Sequence, residues 1–327
     1  MTFAKIRSSM LLAMLPLLML AAPHSDARAQ TPINIGIVSR TVFFMPLWMA
    51  DQKGYLKHEG FDTKIEIVDS SDKINDGLRS GHFQFAISSP ESIIAESYRG
   101  GSLRLIAGNA KRLPHFIIAK PAIKTLADLK GATIGVLSMH DGTTFLLGDI
   151  AKAAGLQLSD FKVEAVGGAP TRWKLLQAGQ IDAGLQPFPL SYEADAAGFT
   201  DLGPVLKYIP DYQFSAILVD ENWAKAHREQ TIAFLRALQH GTDTMLTHPG
   251  EAAAIAAAQL DTTPALARRA LNDTERYRIL PHDLSLSSRG LRRVFVALQD
   301  ASVIGRDVKY DSRKFVDESY LKASRQP

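Results

Sequence analysis

Ser39-Arg40-Thr41-Val42-Phe43-Phe44-Met45-Pro46 places a cation, hydroxyls and two adjacent aromatic rings between an apolar run and a helix start. Arg40 and the hydroxyls suit an anion, and Phe43 and Phe44 suit an apolar body. Three further loops share this placement. In Ser88-Ser89-Pro90-Glu91-Ser92, either Ser88 or Ser89 can cap a helix that Pro90 opens, and a capping hydroxyl there can also face a ligand. Ser138-Met139-His140-Asp141-Gly142-Thr143-Thr144-Phe145 is the strongest anion position in the chain. It has a donor in His140, hydroxyls in Ser138, Thr143 and Thr144, and a glycine that admits close backbone approach at a helix N-terminus. Gln186-Pro187-Phe188-Pro189 adds an amide and a ring able to stack on a planar ligand. Each loop also has a plainer use. Phe43 and Phe44 suit a core, Arg40 and His140 suit solvent, Asp141 or Thr143 suits a cap, and Phe188 suits packing under Pro189.

Known catalytic patterns are missing. The chain contains no G-x-S-x-G, H-E-x-x-H, G-x-x-x-x-G-K-[ST] or G-x-G-x-x-G sequence. Its nine His are scattered, with no pair at metal-ligand spacing. With no cysteine, disulfides, thiolate metal sites and a Cys nucleophile are excluded. The reading is therefore a binding protein without cofactor or metal, not an enzyme.

The elements that must hold these loops alternate between strand and helix. Residues 33–38 form a near-continuous apolar strand, followed by a helix over 47–58 that Gly60 closes. Strand 64–68, a helix ending at Gly81, strand 83–87, helix 90–98 and strand 103–107 complete a βαβαβ order, which predicts a parallel sheet covered on both faces. A second copy begins about a hundred residues later. Gly36-Ile37-Val38-Ser39 answers to Gly135-Val136-Leu137-Ser138, and 64–68 answers to 162–166. Leu78–Phe83 answers to Leu176–Ile181. Runs 115–120 and 212–219 are candidate crossovers between the two halves, and the chain beyond 221 reads as Ala-rich helices. In open α/β sheets ligands sit beyond the carboxyl ends of the strands, where all four loops fall.

The 327 residues are 46 % hydrophobic and 22 % charged, enough for two folded units and incompatible with disorder. Lys5 and Arg7 precede an apolar run over 10–22, followed by Ala27-Arg28-Ala29. The run is too short to span a bilayer and has the form of a secretory signal peptide, 1–29. Its removal lowers the net charge from +3 to +1, because Lys5, Arg7, Arg28 and Asp26 leave. A nearly neutral body excludes bulk nucleic-acid binding. Export without a lipidation cysteine predicts a freely diffusing periplasmic protein.

Several segments, in order, carry a family resemblance. They are Pro46…Ala50…Lys53-Gly54-Tyr55 with Glu59-Gly60-Phe61, Leu78-Arg79-Ser80-Gly81…Phe83-Gln84-Phe85, Thr125-Leu126-Ala127-Asp128-Leu129-Lys130-Gly131, and Leu176-Gln177-Ala178-Gly179-Gln180-Ile181-Asp182-Ala183. Over roughly 33–223 the chain resembles the periplasmic solute-binding proteins of ABC transporters, within them the nitrate/sulfonate/taurine and thiamine-precursor-binding family. One departure is Gly81-His82-Phe83-Gln84, where many relatives carry aspartate.

The resemblance implies a type II periplasmic binding protein of two α/β lobes on a two-crossover hinge. Lobe one would comprise 30–118 and 220–327, and lobe two 119–219. It also implies ligand contacts from Phe43, Phe44, Ser88, Ser89, Ser138, Thr143, Thr144 and Gln186, with Arg40 and His140 beside them, and Phe188 joins the candidates from its loop alone. Closure on a small organic anion (a sulfonate or an aromatic carboxylate) would prepare a monomer to dock on a membrane permease. A neutral pyrimidine is the alternative ligand, and an enzyme or a ligand-presenting sensor on the same fold is the alternative class.

Overall fold

Among the described residues, ten strands form two five-stranded sheets with one topology. The computed structural model describes residues 1–2, 30–68, 70–139 and 142–326, with only the backbone at Thr143. The leader expectation and His140 lie outside the described residues. The first half runs β1 (Thr31–Ile37), α1 (Met45–Gln52), α2 (Tyr55–His58), β2 (Phe61–Ile67), α3 (Ser71–Arg79), β3 (Phe85–Ser88), α4 (Glu91–Ser97) and β4 (Leu103–Gly108). The second runs β5 (His115–Ala119), β6 (Thr133–Val136), α5 (Gly142–Ala153), β7 (Lys162–Ala165), α6 (Ala169–Gln177), β8 (Ala183–Pro187), α7 (Leu190–Ala196) and β9 (Thr200–Pro204). The chain then returns as β10 (Ala216–Asp220), α8 (Glu221–Ala226), α9 (Arg228–Thr247), α10 (Pro249–Leu260), α11 (Pro264–Arg276), α12 (Ser288–Asp300) and α13 (Ser319–Ser324). No described helix is long and apolar enough to cross a membrane.

The strand orders are β2-β1-β3-β10-β4 and β7-β6-β8-β5-β9. They superpose as the sequence repeat requires, with β1 matching β6, β2 matching β7 and β3 matching β8. One packing detail recurs in both copies. A Cβ on Gly36 would lie 2.6 Å from Ile74 and 2.9 Å from Phe83, and one on Gly135 would lie 2.7 Å from Ile181. Phe83 and Ile181 occupy the same register of the repeat, so each lobe presses apolar side chains onto a bare strand backbone at the same place.

Two expectations are corrected. Neither sheet is purely parallel: β10 runs antiparallel between β3 and β4, and β5 runs antiparallel beside β8 and β9. The cause lies in the crossings at 109–114 and 205–215. Each crossing leaves one sheet at the carboxyl ends of its strands and enters the other sheet at the same end. The arriving strand must then run backwards, so His115 pairs with Pro187 and Ala216 with Ser88. Both β5 and β10 therefore lie inside the sheet they enter, a few residues before the limits expected at 118 and 219. Second, the helix expected over 47–58 divides into α1 and α2, because Gly54 takes a left-handed φ of 74° between them.

The C-terminal helices do more than back the first lobe. Helix α9 packs along α1, and Phe234 stacks flat on Phe85 with ring centroids 3.9 Å apart. Helices α11 and α12 reach the second lobe from two sides. On α7, the Tyr192 hydroxyl donates to Asp273 at 2.5 Å and Arg269 lies 3.8 Å above the Tyr192 ring. On α5, Asp149 pairs with Arg293 of α12.

Candidate functional site

The carboxyl ends of the two sheets face each other across a cleft that is nearly filled. Two adjoining cavities remain, of about 30 and 20 Å³. Val38, Phe43, Leu137 and Phe214 wall both. Such volumes hold about one water each, so an organic ligand requires the lobes to separate first. The first lobe supplies Val38 and Phe43, the second supplies Leu137, and the crossing 205–215 supplies Phe214.

The first cavity adds Ser39 and Thr41 from one lobe and His115, Gly168, Ala169 and Arg172 from the other. The second adds Phe44, Ser71, Ser88, Ser89 and Ser215. Four polar atoms at these strand ends are buried with no hydrogen-bond partner among the described residues: Thr41 Oγ1, Ser88 Oγ, His115 Nδ1 and Ser138 Oγ. Each such atom costs about 1–3 kcal/mol when unsatisfied, so four around one cleft are a costly arrangement without a polar guest. Two belong to each lobe. Ser89 is satisfied by donating to Ser71 Oγ at 3.2 Å.

The local sequence explains how these groups come to be buried. The segment Val42–Phe44 is a single 3₁₀ turn that starts α1, and it turns Phe43 and Phe44 inward at 3 % and 0 % exposure. Their rings lie 4.7 Å apart, and Phe43 meets Phe214 edge-on at 5.4 Å. Phe214 in turn meets the His115 ring at 4.8 Å and 74°. Burial, reinforced by the Arg172 guanidinium, holds the His115 imidazole well below its ordinary pKa. It is therefore neutral at pH 7.

Helix α6 opens at Gly168 with no side-chain cap, beside Arg172. Arg172 donates to the carbonyls of Gly167 at 3.1 Å and Leu185 at 2.8 Å, so it ties the helix start to the end of β8. This end of the cleft is positive through both the dipole and the guanidinium. The opposite holds at α5, the position favoured by sequence. A Cβ on its first residue, Gly142, would lie 2.6 Å from Glu91 Oε1 of the first lobe. Glu91 is fully buried and accepts from the Tyr212 hydroxyl at 2.7 Å. A carboxylate of the protein itself thus stands at that helix start, where the loop was read as receiving a ligand anion.

Of the residues singled out by sequence, Phe43, Phe44, Ser88 and Ser89 come together on the cavity walls. Ser138 follows Leu137 at the same strand ends, and its carbonyl accepts from Thr144 Oγ1 at 2.6 Å. Thr144 lines a separate crevice between α5 and α12 rather than the two central cavities. Gln186 is fully buried beneath α6, where its amide fits between Ala169 O and Trp173 N at 3.2 Å each. Phe188 is packed with Tyr192, Phe116 and Tyr277, away from the cavities. Arg40 is an exposed side chain that reaches outward to the Gln259 carbonyl at 3.3 Å. The strand ends at Ile37, so no strand alternation orients Arg40, and its guanidinium finds its partner at Gln259 of α10.

Sequence reasoning missed Thr41 as a buried orphan, and it missed His115, Arg172 and Phe214 altogether. It searched residues that follow strands, whereas His115 opens β5 and Phe214 stands just before β10. Only antiparallel entry brings a strand's leading residues to the carboxyl ends of its neighbours. Among the described residues no cluster of three His, Asp or Glu is placed to hold a metal.

Comparison with known proteins decides the family. The NMT1/THI5-like family model matches residues 42–252, most of both lobes. The chain belongs to the NMT1/THI5-like family. A candidate binding protein of Brucella abortus is 23 % identical over 229 residues, covering 69 % of this chain and 70 % of its own. Among solved structures, the ligand-binding component of an ABC-type import system from Staphylococcus aureus, crystallised with zinc, gives a TM-score of 0.75 at 14 % identity. It covers 90 % of this chain and 98 % of its own. The periplasmic aliphatic sulphonate-binding protein SsuA of Escherichia coli gives 0.66 at 16 % identity, covering 90 % and 100 %. The two-lobed binding-protein fold is thus common to this NMT1/THI5-like chain and to these proteins.

Proposed function

We propose that this NMT1/THI5-like protein is a periplasmic solute-binding protein of an ABC importer. It takes a small organic anion between its lobes, closes, and presents the closed form to a membrane permease. The observation that carries the reading is the set of buried polar atoms without a partner among the described residues, Thr41 Oγ1 and Ser88 Oγ of one lobe and His115 Nδ1 of the other, lining the aromatic-walled cavities, with Ser138 Oγ at the same strand ends. A ligand that satisfies atoms of both lobes binds the closed form better than the open one. That difference in affinity is what drives closure. The hinge of this reading lies at the crossings 109–114 and 205–215, a few residues before the limits expected at 118 and 219.

An anion is favoured by the uncapped start of α6 and the Arg172 guanidinium beside it. Phe43 and Phe214 suit the apolar remainder of a sulfonate or aromatic carboxylate. These two rings also support a second reading, a neutral pyrimidine stacked or edged against them. Among the solved relatives, one is the ligand-binding component of an import system and one a sulphonate-binding protein, which supports the transport reading. A monomer without affinity for nucleic acid completes the proposal.

The test is native mass spectrometry of whatever co-purifies, followed by calorimetry with sulfonates, aromatic carboxylates and pyrimidines. Binding of at least one anion, with melting temperature rising as its concentration passes the dissociation constant, is the expected result. Binding of uncharged rings alone would replace the anion reading with the pyrimidine one.

A further inference from the structure

We propose that His115 sets the specificity of the cleft, by demanding a ligand with a neutral hydroxyl next to its charged end. The inference rests on the reading of the cleft as an organic-anion site, and extends it from charge to hydrogen-bonding pattern. His115 is 3 % exposed, lines the first cavity, and keeps its Nδ1 without a partner among the described residues. Its ring is fixed by edge contact with Phe214 at 4.8 Å and by its place at the start of β5, paired with Pro187. It cannot turn to solvent for a partner.

The chemistry of the surroundings narrows what can satisfy it. A neutral imidazole offers one N–H and one lone pair, and the tautomer follows whichever partner arrives. A second anionic group accepts from the neutral imidazole N–H but carries no proton to return to a ring lone pair, so it satisfies one tautomer alone, and burial and Arg172 oppose the imidazolium that would bind it more strongly. An ammonium group would meet the Arg172 guanidinium on the same cavity wall. A methyl group would leave both the imidazole and the nearby Thr41 hydroxyl unsatisfied. A hydroxyl both donates and accepts, and it can serve His115 and Thr41 together. Sites built on such pairing reject the analogue lacking the group far more strongly than an apolar pocket rejects an extra methylene.

Three matched pairs test this by calorimetry: 2-hydroxyethanesulfonate against ethanesulfonate, 3-hydroxybenzoate against benzoate, and a hydroxymethylpyrimidine against its methyl analogue. The wild type is expected to bind the hydroxylated member of at least one pair ten or more times more tightly. His115→Phe should reduce that ratio to near one. His115→Gln, which keeps a donor and an acceptor, should retain part of it, and thermal unfolding establishes that both variants fold. Equal affinities within every pair that binds, or a preference that survives in His115→Phe, overturns the role of His115 while the anion reading stands. A preference seen only in the pyrimidine pair, and lost in His115→Phe, sustains His115 and overturns the anion. Failure of all six compounds to bind the wild type counts against both.

Discussion

Tyr192 and Asp273 join the two lobes through one hydrogen bond of 2.5 Å, from the phenol of α7 to the carboxylate of α11. Arg269 covers the Tyr192 ring, and Phe188 of the second lobe stacks near Tyr277 of the C-terminal helices with centroids 6.0 Å apart. Burial, with the hydrogen bond to Asp273 next, pushes the Tyr192 phenol far above its ordinary range. It stays a neutral donor at any physiological pH. None of these contacts involves the cleft walls, so they favour closure whether or not a ligand is present.

Tyr192→Phe removes the hydrogen bond and keeps the ring. Losing about 1 kcal/mol of closed-state contact should weaken ligand binding about fivefold, because closure and binding are linked. Solution scattering of the unliganded variant should show a larger radius of gyration than the wild type. Identical scattering and affinity would mean that the α7–α11 contact does not govern closure.

Thr41→Val and Ser88→Ala should move stability and affinity in opposite directions. Each replaces a buried, unsatisfied hydroxyl with an apolar group. The unliganded variant then gains about 1 kcal/mol, on the order of 1–2 °C in melting temperature for a chain of this size. Ligand affinity should fall about tenfold. A variant that loses stability and keeps its affinity would assign the hydroxyl to the scaffold.

Acidification should destabilise the unliganded protein through His115. Its pKa when folded lies well below the ordinary 6.5 of the unfolded chain. Between those two values the unfolded state binds more protons, so stability rises with pH. The contribution is complete above about pH 6.5 and is lost as pH falls towards the depressed folded value. Thermal unfolding from pH 7.5 to 5 should show a decline that His115→Gln flattens. A slope unaffected by the substitution would place the dependence elsewhere.

Arg40→Ala should leave ligand affinity within about twofold of wild type, since surface contacts of this kind contribute little. Its guanidinium meets Gln259 on the outer face, not the cleft. A large loss of affinity would show that the loop swings inward when ligand arrives.

The repeat of Gly36–Ser39 in Gly135–Ser138, with its alternating strands and helices, was enough to read two similar α/β lobes with sites at their strand ends. Local rules of this kind act within one element, and they pointed to Phe43, Phe44, Ser88 and Ser89, which the fold brings together on the cavity walls. They could not show where Arg40 points: its type suits an anion, yet beyond the end of β1 its guanidinium meets the Gln259 carbonyl. They passed over His115, whose value depends on the direction in which its strand enters the sheet.

Residue periodicity by itself determined which segments become strand or helix and which lobe ends carry polar loops, because those follow from which side chains can be buried. The tertiary structure alone decided that β5 and β10 run backwards and bring His115 and Phe214 to the cleft, and that Glu91 occupies the start of α5. Both depend on how one lobe meets the other, and no spacing within a single segment encodes that meeting.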